Sequence, residues 1–405
     1  MIKIGVAGAT GYAGSELMRM LVKHPETDLR YVTANSYVDQ KYSDVYKNFS
    51  KHTPLVCCEA DLENISADCD VLFTALPGGM TAKLLNEKIL SRTKVIDFGA
   101  AYRLKDVKIY EKWYGEKHVT PQFIKEAVYG LCEFNRHRIK EARLIANPGC
   151  HTTCGILGTA PLVKYDLIDR KSIIIDSKTG VSGAGRGLNR DMLFCETNEN
   201  TKAYKVAGHR HTPEIEEQLS YVAGEEIVIS FTPVLVPMNR GILATIYATL
   251  KDGVTESDIR KAYENMYGNE YFIRLSAAGE LPESKWVKAS NFVDIGFKID
   301  ARTNRVIAVS ALDNLVKGTA GSKRWYGTSR PFSQTIAVLK PSAFAPCKIC
   351  KEVWLPRVAI VILFLSYPSK ILNISSFLTL PILSPQKMIL IYMFLSINNF
   401  YYLNF

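Results

Sequence analysis

Short apolar runs alternate with stretches of helical spacing over the first 150 residues. The apolar runs predict strands at 2–6, 29–33, 70–76, 94–99 and 143–146. After the first of these, the apolar residues of 17–22 recur at the spacing of an amphipathic helix. Strands that alternate with helices are typical of a parallel, doubly wound sheet of the Rossmann type, so we expect an α/β fold here.

The pattern changes after residue 171, where apolar and polar residues alternate within longer runs. These runs predict strands at 172–176, 226–232, 243–250 and 305–309. Alternation of this kind is typical of a mostly antiparallel sheet with one covered face. The sequence therefore predicts a second, α+β domain.

A third change comes near Gly321. The chain then carries the apolar blocks 358–365 and 388–395, with prolines between them. Each block is far shorter than the ~20 residues of a membrane-spanning helix, and neither has a helical or strand period. We interpret 322–405 as an aberrant hydrophobic tail, out of frame or fused, that was not selected to fold. A tail anchor is the alternative, and we expect no membrane association.

The net charge of +10 lies mostly in that tail. Nine basic residues and one acidic residue after Gly321 supply +8, so residues 1–321 carry only +2. A nearly neutral body does not indicate a face for nucleic acid. The nine cysteines show neither a disulfide framework nor zinc-ligand spacing, so we expect no metal. The chain begins directly with a strand, which predicts a cytoplasmic protein without a signal peptide.

A glycine-rich loop joins the first predicted strand to the first helix. Such a loop lets a dinucleotide pyrophosphate approach the backbone at a helix N-terminus. The predicted cofactor contacts in it are Gly8, Thr10, Gly11, Tyr12, Ala13 and Gly14.

The strand 29–33 ends without the carboxylate that would bind a ribose 2′-hydroxyl. A carboxylate would repel a 2′-phosphate, so its absence favours NADP(H) as the cofactor. Ser36 and Lys41 follow that strand and are the predicted phosphate contacts. Pro77, in the loop after the strand 70–76, is expected to line the cofactor crevice.

Asn147-Pro148-Gly149-Cys150 places a cysteine between a predicted strand and a predicted buried helix. Free backbone N–H groups and the positive end of the helix dipole favour a thiolate at such a junction. The alternative is a packed cysteine, because free cysteines are among the most buried residues.

A second cluster, His209-Arg210-His211, precedes a helix start at Pro213. A cysteine nucleophile needs a group that takes and returns its proton, which histidine does near neutral pH. The loop 178–187 mixes glycines with Lys178 and Arg186, which suits a carboxylate or phosphate, although a solvated loop would look the same. A nicotinamide site with a cysteine nucleophile indicates reduction of an acyl phosphate through a thioester.

Six motifs match one family in order over residues 1 to about 321. The chain resembles the N-acetyl-γ-glutamyl-phosphate reductases, the arginine-biosynthesis branch of the semialdehyde dehydrogenase superfamily. The motifs are 8–14 (GATGYAG), 95–100 (VIDFGA), 146–150 (ANPGC), 177–186 (SKTGVSGAGR), 208–215 (GHRHTPEI) and 313–318 (DNLVKG).

The resemblance implies an NADP-binding domain at 1–149 with a return segment at about 314–321, and a catalytic and dimerisation domain at 150–313. It implies NADPH-dependent reduction of N-acetylglutamyl phosphate by a cytoplasmic homo-oligomer, a dimer or tetramer. Cys150 would be the nucleophile, and His211, favoured over His209, the acid–base. Ser182, Gly183 and Asn314 would line the nicotinamide, and the expected substrate contacts are Arg103, Asn147, Lys178, Arg186 and Arg210.

The chain departs from the family pattern in places. Ala101 stands for an aspartate, Cys132 and Phe134 for the proline and leucine of a proline-glutamate-leucine run, and His151 for a common tyrosine. The family's C-terminal helix is also replaced after Gly321. The alternatives are a reductase of aspartyl phosphate or of a carrier-linked acyl phosphate, an inactive nucleotide-binding protein, and a membrane-tethered protein.

Overall fold

The computed structural model describes residues 1–321. The tail predicted at 322–405 lies outside the described residues. Two sheets carry the described chain, one built from residues 2–146 and the other from residues 174–312.

The first sheet is wholly parallel, in the order β3-β2-β1-β4-β5-β7-β6. Its strands are β1 (Ile2–Ala7), β2 (Thr27–Thr33), β3 (Cys57–Cys58), β4 (Val71–Thr74), β5 (Lys94–Asp97), β6 (Val128–Tyr129) and β7 (Leu144–Ala146). All seven carboxyl ends therefore lie at one edge, where open α/β sheets bind their ligands. The predicted doubly wound sheet is confirmed.

Helices connect these strands. They are α1 (Tyr12–Leu21), α2 (Tyr42–Val45), α3 (Leu62–Ser66), α4 (Met80–Leu84), α5 (Glu87–Leu90), α6 (Val107–Tyr114) and α7 (Cys132–Glu141), with 3₁₀ turns at Lys47–Phe49 and Pro121–Phe123. As its spacing predicts, α1 buries Leu17, Met18 and Leu21 against the sheet core.

The second sheet is mixed and mostly antiparallel, in the order β12-β13-β14-β11-β8-β10-β9. Its strands are β8 (Ile174–Thr179), β9 (Lys202–Ala203), β10 (Ser230–Leu235), β11 (Ile242–Thr249), β12 (Ile273–Leu275), β13 (Val293–Asp300) and β14 (Arg305–Leu312). Along β11 buried and half-exposed residues alternate, as predicted for a sheet with one covered face.

One predicted strand is displaced along the chain. The run 226–232 was expected to be extended, but β10 begins only at Ser230. The backbone N–H groups of Ile227 and Ile229 donate to the side chains of Ser220 and Glu216, so this stretch is anchored to a helix instead of a strand.

The helices of the second half are α8 (Cys150–Lys164), α9 (Phe194–Thr197), α10 (Thr212–Ala223), α11 (Glu256–Tyr267) and α12 (Ser284–Val287), with 3₁₀ turns at Arg170–Ser172, Val181–Ala184 and Arg190–Met192. Residues 151–163 of α8 are all buried. A helix that is buried on every side belongs to a core, and α8 packs on β11 and β14. Its first residue is therefore held by rigid surroundings.

The described chain ends in a π-helical turn, Val316–Ala320. Val316 and Ala320 enter the core of the first sheet, although they follow the last strand of the second. The buried ammonium of Lys317 lies 2.5 Å from a carboxylate oxygen of Glu133 in α7. The return segment thus packs on the first sheet, while the boundaries at 149/150 and 313/314 stay a prediction.

Candidate active site

Cys150 is the first residue of α8 and follows β7 after a three-residue turn. The strand-turn-helix arrangement expected around it is therefore present. Gly149 is the N-cap residue and has an extended backbone, with no side chain to cap the helix. The first backbone N–H groups of a helix have no partner within it, so the thiol lies where free donors meet.

The loop before Cys150 is held by the carboxylate of Glu214, in the first turn of α10. Its Oε1 accepts hydrogen bonds from the backbone N–H of Gly149 (2.9 Å), the hydroxyl of Thr152 (2.9 Å) and the phenol of Tyr129 (2.7 Å). Its Oε2 accepts from the guanidinium of Arg103 at 3.2 Å. Glu214 is almost completely buried, so one charged group joins both halves of the chain beside the nucleophile.

His211 lies directly against the turn that carries the nucleophile. A Cβ placed on Gly149 would overlap Nε2 of His211, so the imidazole reaches this position only because residue 149 is glycine. Nδ1 of His211 is buried and has no hydrogen-bond partner among residues 1–321. The backbone N–H of His211 donates to Nδ1 of His209 at 3.1 Å, which fixes the orientation of the second ring.

A third imidazole, His151, completes a cluster with these two. The ring centroids of His209 and His211 are 4.8 Å apart, and His151 is 5.5 Å from the first and 5.8 Å from the second. Nδ1 of His151 is 2.7 Å from the Ser177 hydroxyl, and its Nε2 is 3.0 Å from the phenol of Tyr204. His151 therefore supports the wall of the site through a chain of neutral hydrogen bonds.

The thiol of Cys150 is not pre-ionised, which corrects one expectation. Burial raises its pKa to about 11, although the backbone N–H groups of His151 and Cys150 and the charge of Arg103 lower it. Desolvation of the charged form outweighs the helix N-terminus here. The free protein therefore holds a thiol that needs a base.

All three histidines are neutral at neutral pH. Burial lowers the pKa of His209 to about 4 and that of His151 to about 3, and it also holds the pKa of His211 well below its usual value. Nearby cations, Lys205 and Arg210 among them, act in the same direction. A neutral imidazole that packs against the residue before a protonated thiol, as His211 does, has the protonation state of a general base.

The return segment closes the other side of the nucleophile. A Cβ on Gly318 would lie 2.8 Å from Cβ of Cys150, so only glycine allows this approach. The fully buried Asn147 donates its side-chain amide to the carbonyl of Thr319 at 3.0 Å. Asn147, expected to bind substrate, thus ties the return segment to the loop of the nucleophile.

Two predicted substrate residues line the site. Arg103 is buried; its Nη2 donates to the carbonyl of Phe98 at 2.9 Å, and its Nε has no hydrogen-bond partner within residues 1–321. Arg210 is exposed, and its guanidinium stacks over the ring of Tyr114 at 5.0 Å. One buried and one accessible guanidinium therefore flank the histidines.

The other two predicted substrate residues lie elsewhere. Lys178 pairs with Asp176 at 2.6 Å, on the face of β8 opposite to Ser177, which contacts His151. Successive side chains of a strand point to opposite faces, so Lys178 faces away from α8. Arg186 contacts the glycine-rich loop near Thr10. The structure does not bring either residue to Cys150.

The glycine-rich loop forms a cradle at the N-terminus of α1. A Cβ on Gly8, whose φ is +79°, would overlap the carbonyl of Ala75, and one on Gly14 would overlap that of Gly8. Gly11, the N-cap, has neither a side-chain cap nor a close neighbour above its Cα. Thr10, Tyr12 and Ala13 complete the loop. Gly8 and Gly14 are tightly packed, whereas the backbone at Gly11 is open. This combination suits the pyrophosphate of a dinucleotide.

The remaining predicted cofactor residues lie beyond strand ends of the first sheet and around Asn314. Pro77 and Ser36 are exposed, just beyond the ends of β4 and β2. The side-chain amide of Asn314 donates to the hydroxyl of Ser182 at 3.0 Å, beside Gly183, and its Oδ1 accepts from the N–H of Gly241 at 2.8 Å. The structure therefore brings the two predicted nicotinamide elements together.

Family models match nearly all of the described chain. The semialdehyde dehydrogenase NAD binding domain matches residues 3–142, and the semialdehyde dehydrogenase dimerisation domain matches residues 150–314. An N-acetyl-gamma-glutamyl-phosphate reductase of Lachnoclostridium phytofermentans is 55% identical over 321 residues, which cover 79% of this chain and 93% of the relative. The chain belongs to the N-acetyl-γ-glutamyl-phosphate reductase family.

Other members and more distant structures agree with this. The proteins of the same name from Campylobacter jejuni subsp. doylei and Acetivibrio thermocellus are 52% and 47% identical; each match covers 79% of this chain, and 92% and 93% of the relatives. An aspartate semialdehyde dehydrogenase II of Vibrio cholerae superposes with a TM-score of 0.60 at 14% identity, over 80% of this chain and 96% of that one. An aspartate semialdehyde dehydrogenase of Candida albicans, solved with NADP, superposes with a TM-score of 0.55 at 19% identity. The match covers 80% of this chain and 96% of that one. These two share the fold.

Sequence reasoning missed Glu214, Tyr129, Tyr204 and the role of His151 in this member of the reductase family. Glu214 follows Pro213 in the first turn of α10. Acidic side chains are common at such positions because they interact favourably with the helix dipole. Only the burial of Glu214 reveals that it serves the loop before Cys150. His151 appeared as a departure from the family pattern, and that was the one signal available.

Within residues 1–321, no group of three or more histidine, cysteine or acidic side chains is arranged to hold a metal ion. None of the helices in the same stretch combines the length and apolar character that a bilayer crossing requires.

The substitution Glu214→Gln tests whether this carboxylate holds the site. We expect it to lower the free energy of unfolding by about 3–5 kcal/mol, because Arg103 keeps its charge in a buried place without a counter-charge. Glu216→Gln on the same helix is the matched control. Glu216 accepts one backbone hydrogen bond, so we expect a loss of about 1 kcal/mol there. Urea unfolding measures both, and equal stabilities of the two variants would contradict this role.

The alkylation rate of Cys150 tests the protonation state of the nucleophile. We expect iodoacetamide to modify Cys150 more slowly than the exposed Cys195 at pH 7.5, with a rate that still rises above about pH 9. Burial keeps the thiol protonated, and only the thiolate reacts. Peptide mass spectrometry follows both cysteines in one sample. A Cys150 rate that exceeds that of Cys195 and levels off below pH 8 would show a pre-formed thiolate.

Proposed function

We propose that this protein reduces N-acetyl-L-glutamyl 5-phosphate to N-acetyl-L-glutamate 5-semialdehyde, with release of phosphate, as a step of arginine biosynthesis. The observation that carries the proposal is the position of Cys150 at the start of a buried helix, directly after Gly149, against which the ring of His211 packs. The relatives named for this reaction, 47–55% identical over the whole described part, support the choice of substrate.

The first step forms a thioester. His211 takes the proton of the Cys150 thiol, and the resulting thiolate attacks the acyl carbon of the substrate. A C–S bond forms, the bond between the acyl carbon and the phosphate oxygen breaks, and phosphate leaves with the electron pair and takes up a proton from water. The thiolate and the imidazolium that appear together stabilise each other, which offsets the high pKa of the thiol.

The second step releases the product. NADPH, when bound, supplies the hydride that reduces the acyl group to the aldehyde. The C–S bond then breaks, the sulfur leaves as thiolate, and His211 returns its proton to Cys150. The protein finishes the cycle in the protonation state in which it began.

The arginines bind the anionic parts of the substrate. Arg103 has an unpaired Nε inside the site, while its Nη1 and Nη2 are held by Glu214 and the Phe98 carbonyl. A guanidinium in fixed orientation is suited to a phosphate or carboxylate. Arg210, supported by the ring of Tyr114, is accessible for the second anionic group.

The preference for NADP(H) over NAD(H) is part of the proposal. No acidic residue follows β2 in 34–38, where a carboxylate would read the ribose 2′-hydroxyl. The match to a dimerisation domain supports a homo-oligomer. The biosynthetic role supports a cytoplasmic location.

Steady-state kinetics in the direction of aldehyde oxidation test the proposal. We expect the full chain to oxidise N-acetylglutamate semialdehyde with NADP and phosphate, and to leave aspartate semialdehyde unchanged. Cys150→Ser should abolish turnover, because the hydroxyl is a far weaker nucleophile. His211→Asn should lower kcat by about 10²–10⁴-fold, and more than His209→Asn does.

Cys195→Ser, which changes an exposed cysteine, is the control and should keep full activity. Turnover that survives in Cys150→Ser, or a preference for aspartate semialdehyde, would contradict the proposed function.

A further inference from the structure

Arg186 lies on the first domain although it belongs to the second half of the chain. Its Nη1 donates to the carbonyl of Thr10 at 3.0 Å and to the phenol of Tyr46 at 3.2 Å, and its Nη2 donates to the phenol of Tyr37 at 3.2 Å. The guanidinium also faces both rings, 5.3 Å from the centroid of Tyr37 and 5.0 Å from that of Tyr46. Five contacts thus orient an exposed side chain.

The charge of Arg186 has no counter-charge in this environment. Its three acceptors are a carbonyl and two phenols, and no ion pair of Arg186 occurs within the described part of the chain. Thr10 stands just before α1, whose N-cap has no side-chain acceptor and whose first turn has no acidic residue. The positive end of a helix disfavours a cation, so this arrangement calls for an anion from a ligand.

The position of Tyr37 indicates which anion this is. It follows Ser36, just past the end of β2, where dinucleotide-binding folds read the adenosine ribose and where an arginine accommodates a 2′-phosphate. Three of the five N–H donors of a guanidinium are engaged by Thr10, Tyr46 and Tyr37. Two donors remain, which is the number that a bidentate phosphate contact requires.

We propose that Arg186 binds the adenosine 2′-phosphate of NADP and, with Ser36, determines the selectivity for NADP over NAD. The inference rests on the proposed function, in which the cofactor is NADP(H). It assigns Arg186 to the cofactor, where sequence reasoning placed it with the substrate.

The same loop also reaches the nicotinamide elements. Ser182, which accepts from Asn314, lies four residues before Arg186, and Gly185 between them has a φ of +86° that a residue with a side chain rarely adopts. Through this turn one loop spans both regions where the cofactor is expected to bind.

Equilibrium binding of NADPH and NADH to the full chain, measured by titration calorimetry, tests the inference without turnover. Arg186→Ala should weaken NADPH binding by about tenfold or more, because a charged, bidentate contact is lost, and should leave NADH binding within about twofold. Arg186→Lys should fall between the wild type and Arg186→Ala. Arg190→Ala removes the same charge from an exposed residue of the same loop and should change neither affinity.

Two results would overturn the inference. A selectivity ratio for NADPH over NADH that Arg186→Ala retains would show that Arg186 does not read the 2′-phosphate. An equal loss of affinity for NADPH and NADH would show that Arg186 contacts the pyrophosphate or maintains the shape of the loop. In that case Tyr37→Phe, which removes one phenol contact, would also weaken the binding of both dinucleotides. A wild type without preference for NADPH would instead contradict the cofactor choice of the proposed function.

Discussion

The carboxylate of Glu214 joins parts of the chain that are far apart in sequence, and the geometry of the site follows from it. Its four hydrogen bonds come from Arg103 and Tyr129, which belong to the first half, and from Gly149 and Thr152, which flank Cys150. A buried carboxylate is stable only when its oxygens are satisfied, so each of these donors is held in place. The turn of the nucleophile and the guanidinium of Arg103 are positioned by the same interaction.

Two glycines allow other groups to approach Cys150 and the turn before it closely. Gly149 admits the ring of His211 next to the turn before Cys150, and Gly318 admits the return segment against Cys150 itself. Burial of their surroundings raises the pKa of Cys150 and lowers that of His211. In the proposed mechanism, burial keeps both groups uncharged until substrate arrives, and proton transfer from Cys150 to His211 then creates the charged pair.

Much of the architecture could be predicted from the sequence because it depends on local periodicity. The single strands, the amphipathic α1 and the junction at Cys150 each follow from patterns of fewer than twenty residues, and the parallel sheet follows from the alternation of such patterns over the first 150 residues. The partners of Glu214 could not be predicted, because Gly149 is 65 residues away in the sequence. The sequence also does not show that a glutamate in the first turn of a helix is buried. The contacts of Lys178 were not predictable, because one residue along β8 changes the face of the sheet. The contacts of Arg186 were not predictable either, because its partners Thr10, Tyr37 and Tyr46 lie some 140 to 176 residues earlier.

The central claim is that Cys150 receives the acyl group from the substrate. Intact-protein and peptide mass spectrometry, after rapid mixing of the full chain with N-acetylglutamyl phosphate in the absence of any nicotinamide dinucleotide, tests it most directly. The account predicts that the peptide containing Cys150 gains one N-acetylglutamyl group, with one phosphate released per site, and that Cys150→Ser shows neither. Phosphate release without a label on that peptide, or a label on another cysteine, would contradict it.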